Sequence, residues 1–322
     1  MPERNPEFTS GKDARKQYAA GFAGVRPPTS EESKWERESV EAFADVAYKQ
    51  GRKIRYGSSA DKLSRPWLSI LKFAPRYFHQ YQKTGSCVDW ASTAACDVNR
   101  AVRSHIAGAK KWTAKAVGPT YRYRGYRGQG MSCVTATRFV TSAGGMLEQR
   151  NYPKLGVDFS DRNAGERWAM SGASIPGDII EQCQRHQVGR AVVISTPQEL
   201  ADALANGYAA FGCSGLAWRS TRDQYGVSRI SRGSWSHALS CVGVDDRPET
   251  RDRHGQRLFA MNNSWGSWNS GPQTGGLAVG MWWTPEEDVA TWIRRGHVTV
   301  LSSVSTISPL DLPDYGIDGF LG

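Results

Sequence analysis

Two separated stretches constrain this chain most: Gln82-Lys83-Thr84-Gly85-Ser86-Cys87-Val88-Asp89-Trp90-Ala91, and Ser236-His237-Ala238-Leu239-Ser240-Cys241-Val242-Gly243 with Asn262-Asn263-Ser264-Trp265-Gly266 close behind. The first reads as a tight loop running into a helix. Val88, Ala91, Ala95 and Val98 fall at helical spacing, so a helix is predicted over 88–101. The second reads as a buried strand over 237–244, and 258–262 as its neighbour, ending in a turn. The chain must therefore bring the start of a helix and a sheet together. The residue types matter chemically. A thiol is mostly protonated near neutral pH and needs a base or a positive charge beside it to become a nucleophile. Cys87 at a helix start would have the positive end of the helix dipole, and His237 is a candidate base.

In this order the stretches resemble the papain-like cysteine proteases, of a divergent bacterial or viral type. His237 lies 150 residues after Cys87, and Asn263 lies 176 after it. The family's histidine and asparagine follow at about 130–150 residues. The excess fits inserted loop material such as Pro248-Glu249-Thr250-Arg251-Asp252-Arg253-His254-Gly255. The resemblance implies Cys87 as nucleophile, paired with His237 as thiolate and imidazolium. His237 then protonates the leaving amine, and Asn263 accepts its second ring N–H. Gln82 and the Cys87 backbone N–H would hold the oxyanion. Asn262 is the alternative one register away, and Gln80 the alternative to Gln82.

Further segments follow the family's succession. Gly118-Pro119-Thr120-Tyr121 begins a helix, and Gly128-Gln129-Gly130 precedes a helix over 134–140. Gly144-Gly145-Met146-Leu147-Glu148, Asn151-Tyr152-Pro153 and Tyr225-Gly226-Val227 then come in order. The resemblance implies substrate contacts at Gly128, Gly130, Ser236 and Trp265, with Trp265 also shielding the Asn–His bond. Four departures stand out. Val88 replaces the usual Trp after the nucleophile, and Gln82 precedes Cys87 by five residues rather than six. Trp268 comes one residue early. Thr84 sits where secreted relatives carry a disulfide cysteine.

The implied fold is α+β and two-lobed: a helical left lobe and an antiparallel, β-barrel-like right lobe, with the cleft between them. Three regions are expected: an N-terminal arm and helix (1–65), a catalytic domain (66–301) and an extended C-terminal tail (302–322). Thr29 and Ser30 before Glu31 and Glu32 signal a helix start, predicted to run to about Gln50. Residues 160–190 give no clear pattern. A strand over 191–194, a helix over 199–205, and strands over 208–213 and 297–301 complete the reading. The arms, 1–28 and 302–322, lack an apolar pattern and are expected to need a partner for order.

Of the six cysteines, none forms a Cys-x-x-Cys pair, and five remain beside Cys87. They read as mostly buried, reduced thiols in a cytosolic setting. No secretory signal and no apolar run of membrane-spanning length is visible, so a cytoplasmic or virion-associated protein without membrane contact is expected. The formal charge of +10 suits an acidic partner surface, but no nucleic-acid motif accompanies it, so nucleic-acid binding is not expected. Tyr121-Arg122-Tyr123-Arg124-Gly125-Tyr126-Arg127 reads as an arginine-rich surface loop, with base stacking as the other reading. No metal-ligand spacing or phosphate fingerprint is present, so no metal and no cofactor are expected. The expected function is hydrolysis of polypeptides by a cysteine peptidase. The alternative is a papain-fold structural protein of a virus particle or other large assembly, docked through its arms, with vestigial or maturation-only activity.

Overall fold

The computed structural model describes residues 12–13, 15–16, 24–49, 54–79, 81–302, 307, 309–310 and 312. Its helices are α1 (Ser30–Ser39), α2 (Leu68–Phe73), α3 (Cys87–Ile106), α4 (Pro119–Arg122), α5 (Cys133–Arg138), α6 (Arg162–Met170), α7 (Gly177–Gln184), α8 (Pro197–Ala205), α9 (Pro248–His254) and α10 (Glu286–Arg295). Its strands are β1 (Glu41–Ala42), β2 (Leu63–Ser64), β3 (Asn151–Tyr152), β4 (Val157–Asp158), β5 (Arg190–Val193), β6 (Ala210–Trp218), β7 (Ile230–Asp245), β8 (Leu258–Asn262), β9 (Trp282–Pro285) and β10 (His297–Ser302).

The fold is α+β. One large sheet runs in the order β1-β5-β10-β6-β7-β8-β9, with β2 on β7. Its pairs are antiparallel except β1 with β5. The two ends of this path do not pair, so the right lobe is barrel-like without closing. Helix α3 packs against β6, β7 and β10 from the left lobe. It is buried on nearly every face, including Val88, Ala91, Ala95 and Val98 at the predicted positions. A helix so enclosed must satisfy its polar side chains internally. Asp89 accepts from Lys115 Nζ at 3.0 Å and, at the start of α4, from the amides of Gly118 at 2.7 Å and Tyr121 at 3.2 Å. Asn99 Oδ1 accepts from the Ala209 amide at 2.7 Å, joining α3 to the sheet.

Close backbone approach decides one glycine. A Cβ at Gly243 on β7 would lie 2.1 Å from the Trp67 ring, so the tryptophan packs only over a bare backbone. Trp67 Nε1 also donates to Gly276 O at 3.1 Å.

Several expectations change. Helix α1 starts where predicted, with a reciprocal cap between Thr29 and Glu32. It ends at Ser39, not near Gln50, because Val40 turns extended and β1 pairs with Val192 and Val193. A sheet edge in need of a partner overrides the weak helical pattern. In the segment before Pro66, Leu63 and Ser64 pair with Asp245 and Val244 of β7. Asp202 accepts from the amides of Gly57 and Ser59, both at 2.9 Å. Residues 160–190, without clear pattern in sequence, carry α6 and α7.

The expected arms lie largely outside the described residues. Where they are described, they pack on the chain itself: Val25 beside Met131, Ile307 buried, and Leu310 and Leu312 against the core. Two of the five thiols expected to be reduced are joined: Cys133 at the start of α5 and Cys213 on β6 form a disulfide. The tertiary fold brings together cysteines 80 residues apart, which sequence spacing does not reveal. In the arginine-rich tract, Arg122 lies over the Trp168 ring at 4.3 Å and Arg124 over Tyr121 at 3.8 Å. Both also donate to backbone carbonyls, of Ser174 and Tyr121 respectively, so these arginines tie the left lobe together.

Candidate active site

The site forms where the first turn of α3 meets β7 and the turn after β8. Cys87 opens α3 and is fully buried. One turn along the same helix, Trp90, Ala91 and Ala94 share the wall of a small cavity with Ala238, Asn262, Asn263 and Ser264. The face of α3 carrying Cys87 is thus turned toward the His237 and Asn263 segments.

His237 sits on β7, opposite Ser214 of β6. Its Nε2 lies 2.8 Å from Asn263 Oδ1. An amide oxygen only accepts, so Nε2 carries the proton and Nδ1 is the ring's basic nitrogen. The Trp265 ring lies 4.3 Å from the imidazole, centre to centre, tilted by 31°. Trp265 is fully buried and backed by Trp235 and Trp268. The buried ring thus lies against the imidazole that bonds Asn263. Burial pushes the His237 pKa down to about 3, and the bond to Asn263 works in the opposite direction. Burial thus opposes the imidazolium that the expected ion pair requires.

Asn263, not Asn262, bonds the histidine. Asn262 is the last residue of β8 and its Nδ2 donates to Ser240 Oγ at 3.0 Å. A strand's alternation sends neighbouring side chains to opposite faces, so only one of the two can face His237. Gln82 is buried in the loop before Cys87. Its amide donates to Ser264 O at 2.7 Å, its Nε2 donates to Thr84 O at 2.7 Å, and its Oε1 accepts from Ser264 Oγ. The adjoining Tyr81 pairs with Trp265. The loop carrying Gln82 is therefore stitched to the turn carrying Asn263. The alternative, Gln80, lies outside the described residues.

Gly128, Gly130 and Ser236 border a strap formed by the chain's own Gly24–Arg26. Val25 runs parallel to Met131, and the Arg26 amide donates to Met131 O at 3.0 Å. On its other side, the Val25 amide donates to Ser236 O at 3.1 Å and Ser236 Oγ donates to Val25 O at 2.8 Å. Arg26 Nε donates to Gln129 O at 3.0 Å, and its guanidinium lies over the Tyr126 ring at 4.5 Å. The strap thus joins the glycine loop of the left lobe to the residue next to His237. Gly130 has φ of 82°, a conformation that favours glycine.

Sequence reasoning did not single out Gln129 and Glu166. The Gly85 amide donates to Gln129 Oε1, and Glu166 accepts from the loop preceding Cys87. No local sequence signal marks a carboxylate on an amphipathic helix as one that turns inward.

No protein-family model matches the sequence, and no curated protein matches it significantly. Solved structures do. Xylellain, a cysteine protease from Xylella fastidiosa, aligns at a TM-score of 0.52 and 15% identity, covering 95% of this chain and 100% of that one. The proform of the Amb a 11 cysteine protease, a major ragweed pollen allergen, aligns at 0.48 and 13%, covering 96% and 84%. Procathepsin L 3 of the Tenebrio molitor larval midgut aligns at 0.46 and 15%, covering 89% and 86%. The fold of this chain is that of the papain-like cysteine proteases.

Proposed function

We propose that this protein is a papain-like cysteine peptidase whose cleft is held closed by its own Gly24–Arg26 strap. The observation that carries the reading is the 2.8 Å bond between His237 and Asn263 beneath Trp265, on the sheet that α3 meets with Cys87 at its first position. The Cys87 proton passes to His237 Nδ1, and the sulfur attacks the scissile carbonyl carbon. The carbonyl oxygen takes the negative charge and is met by the Cys87 backbone N–H and the Gln82 carboxamide. Collapse breaks the C–N bond, and the proton on His237 goes to the leaving amine. Water, deprotonated by the same imidazole, then attacks the thioester and releases the acid and the thiol. Asn263 keeps the proton on Nε2, so Nδ1 remains the basic atom throughout.

Extended peptides bind such clefts through backbone pairing. The strap already occupies the donors and acceptors of Met131 and Ser236 that such a peptide would use. Displacing it would expose Gly128, Gly130 and Ser236.

The test is labelling of the full chain with an epoxide inhibitor of thiol proteases, followed by mapping of the modified residue. Modification at Cys87, lost in Cys87→Ala and matched by loss of peptide hydrolysis, is the expected result. Labelling spread over several cysteines, with hydrolysis surviving in Cys87→Ala, would reject the assignment.

A further inference from the structure

Glu166 on α6 is fully buried, yet no step above uses it. Its carboxylate is surrounded by donors from the loop that leads to Cys87. Oε2 accepts from the Lys83 amide at 2.9 Å. Oε1 accepts from the Thr84 amide at 3.3 Å, Thr84 Oγ1 at 3.0 Å and Ser86 Oγ. One turn earlier on the helix, the Asn163 carboxamide faces two acceptors, Glu166 Oε2 and Tyr81 O, so its nitrogen is assigned to that side and donates to them at 2.9 and 3.1 Å. Gly85, the one residue of 83–86 not bonded to Glu166, donates its amide to Gln129 Oε1. A Cβ at Gly85 would lie 2.7 Å from that oxygen, so the loop must pass close against it.

Every backbone N–H from Lys83 to Gly85 is thus taken up by a side-chain acceptor. Ser86 would ordinarily cap α3 with its hydroxyl, but that hydroxyl points to Glu166 and makes no cap bond. Its loss leaves the first N–H groups of α3 without a side-chain acceptor from Ser86, next to where an oxyanion would form. Burial pushes the Glu166 carboxyl up to about 7, while donors from Ser86, Lys83 and Thr84 hold it down. A site that keeps a carboxylate at that cost in desolvation, with five donors around it, is built for that group.

We propose that Glu166 is a positioning residue for the thiol centre. It fixes the Lys83–Ser86 loop, and with it the placement of Gln82 and of the Cys87 N–H, which the mechanism above assigns to the oxyanion. This rests on the peptidase reading above, and it concerns acyl transfer alone. Alkylation of a thiol by iodoacetamide develops no oxyanion, so the two reactions separate oxyanion positioning from general disorder of the loop.

The experiment compares the full-length parent with Glu166→Gln and Asn163→Ala. It measures acylation by a small p-nitrophenyl ester, the iodoacetamide rate at Cys87, and the thermal midpoint. In Glu166→Gln, acylation is expected to fall at least about tenfold, while alkylation stays within about threefold of the parent. Asn163→Ala should lose acylation in the same direction by a smaller factor. Acylation within about twofold of the parent in both folded variants overturns the proposal. So does a parallel fall of acylation and alkylation, which marks a merely structural role. Failure of the peptidase reading looks different: the parent itself shows no acylation at Cys87.

Discussion

Burial under Trp265 favours the neutral imidazole of His237, and its pKa of about 3 has a consequence for stability. An unfolded histidine titrates near 6.5, so between about 3 and 6.5 the unfolded chain binds a proton that the folded chain does not. The contribution of His237 is therefore present above 6.5 and is lost as pH falls through that window, by up to about 1.4 kcal/mol per pH unit. Thermal midpoints measured from pH 7 to 4 should fall more steeply for the parent than for His237→Gln. Parallel slopes would show that the imidazole is not held neutral. In hydrolysis, His237→Ala should lose about three orders of magnitude or more, because it removes the proton carrier. Asn263→Ala should lose about ten- to a hundredfold, since water or the backbone can still accept from Nε2, only less well aligned. Equal losses in the two variants would mean that Asn263 does more than orient the ring.

Among the elements, the strap and α1 act as one unit. The Thr29 and Glu32 cap opens α1, and Glu32 also accepts from Ser132 Oγ at 3.3 Å and from Thr135 Oγ1 at the start of α5. The strap is thereby anchored immediately beyond the point where it leaves the cleft. Val25→Pro removes the amide that donates to Ser236 O and disfavours the pairing with Met131. Peptide hydrolysis by the full chain is expected to rise several-fold, with only a small change in thermal midpoint, because Val25 is a partly buried residue at the edge of the core. Unchanged hydrolysis in a variant whose strap has become sensitive to added protease would show that the strap does not limit access.

For the whole molecule, the disulfide between Cys133 and Cys213 ties the left lobe to the sheet. Cys213 pairs across β6 and β7 with Ala238, next to His237, and Cys133 lies two residues beyond Met131. A link closing 80 residues restricts the unfolded chain by about 4–5 kcal/mol in the chain-entropy account. The double variant Cys133→Ser with Cys213→Ser should therefore unfold at a clearly lower urea midpoint than the oxidised parent. Full reduction of the parent should bring it to the level of the variant. Coincident midpoints for oxidised parent and variant would show that the lobes are held by packing alone.

What sequence by itself determined was local or short in period. The α3 helix, the buried strands β7 and β8, the helix over 199–205 and the cap at Thr29 all follow from residue spacing and backbone preference. Cys87 was legible as a thiol at a helix start, and the resemblance singled out His237 and Asn263, which the fold brings within 2.8 Å of one another. Tertiary structure alone decided the rest. Val40 left the helix because a sheet edge offered pairing that no local term could reveal. Asn263 rather than Asn262 met the imidazole because strand alternation in this register turned it inward. Cys133 met Cys213, and the Glu166 carboxylate met Lys83 to Ser86, across separations at which sequence carries no distance information. A single chain states which side chains can be buried or charged. Which of them face one another is settled only when helices and sheet close around a shared core.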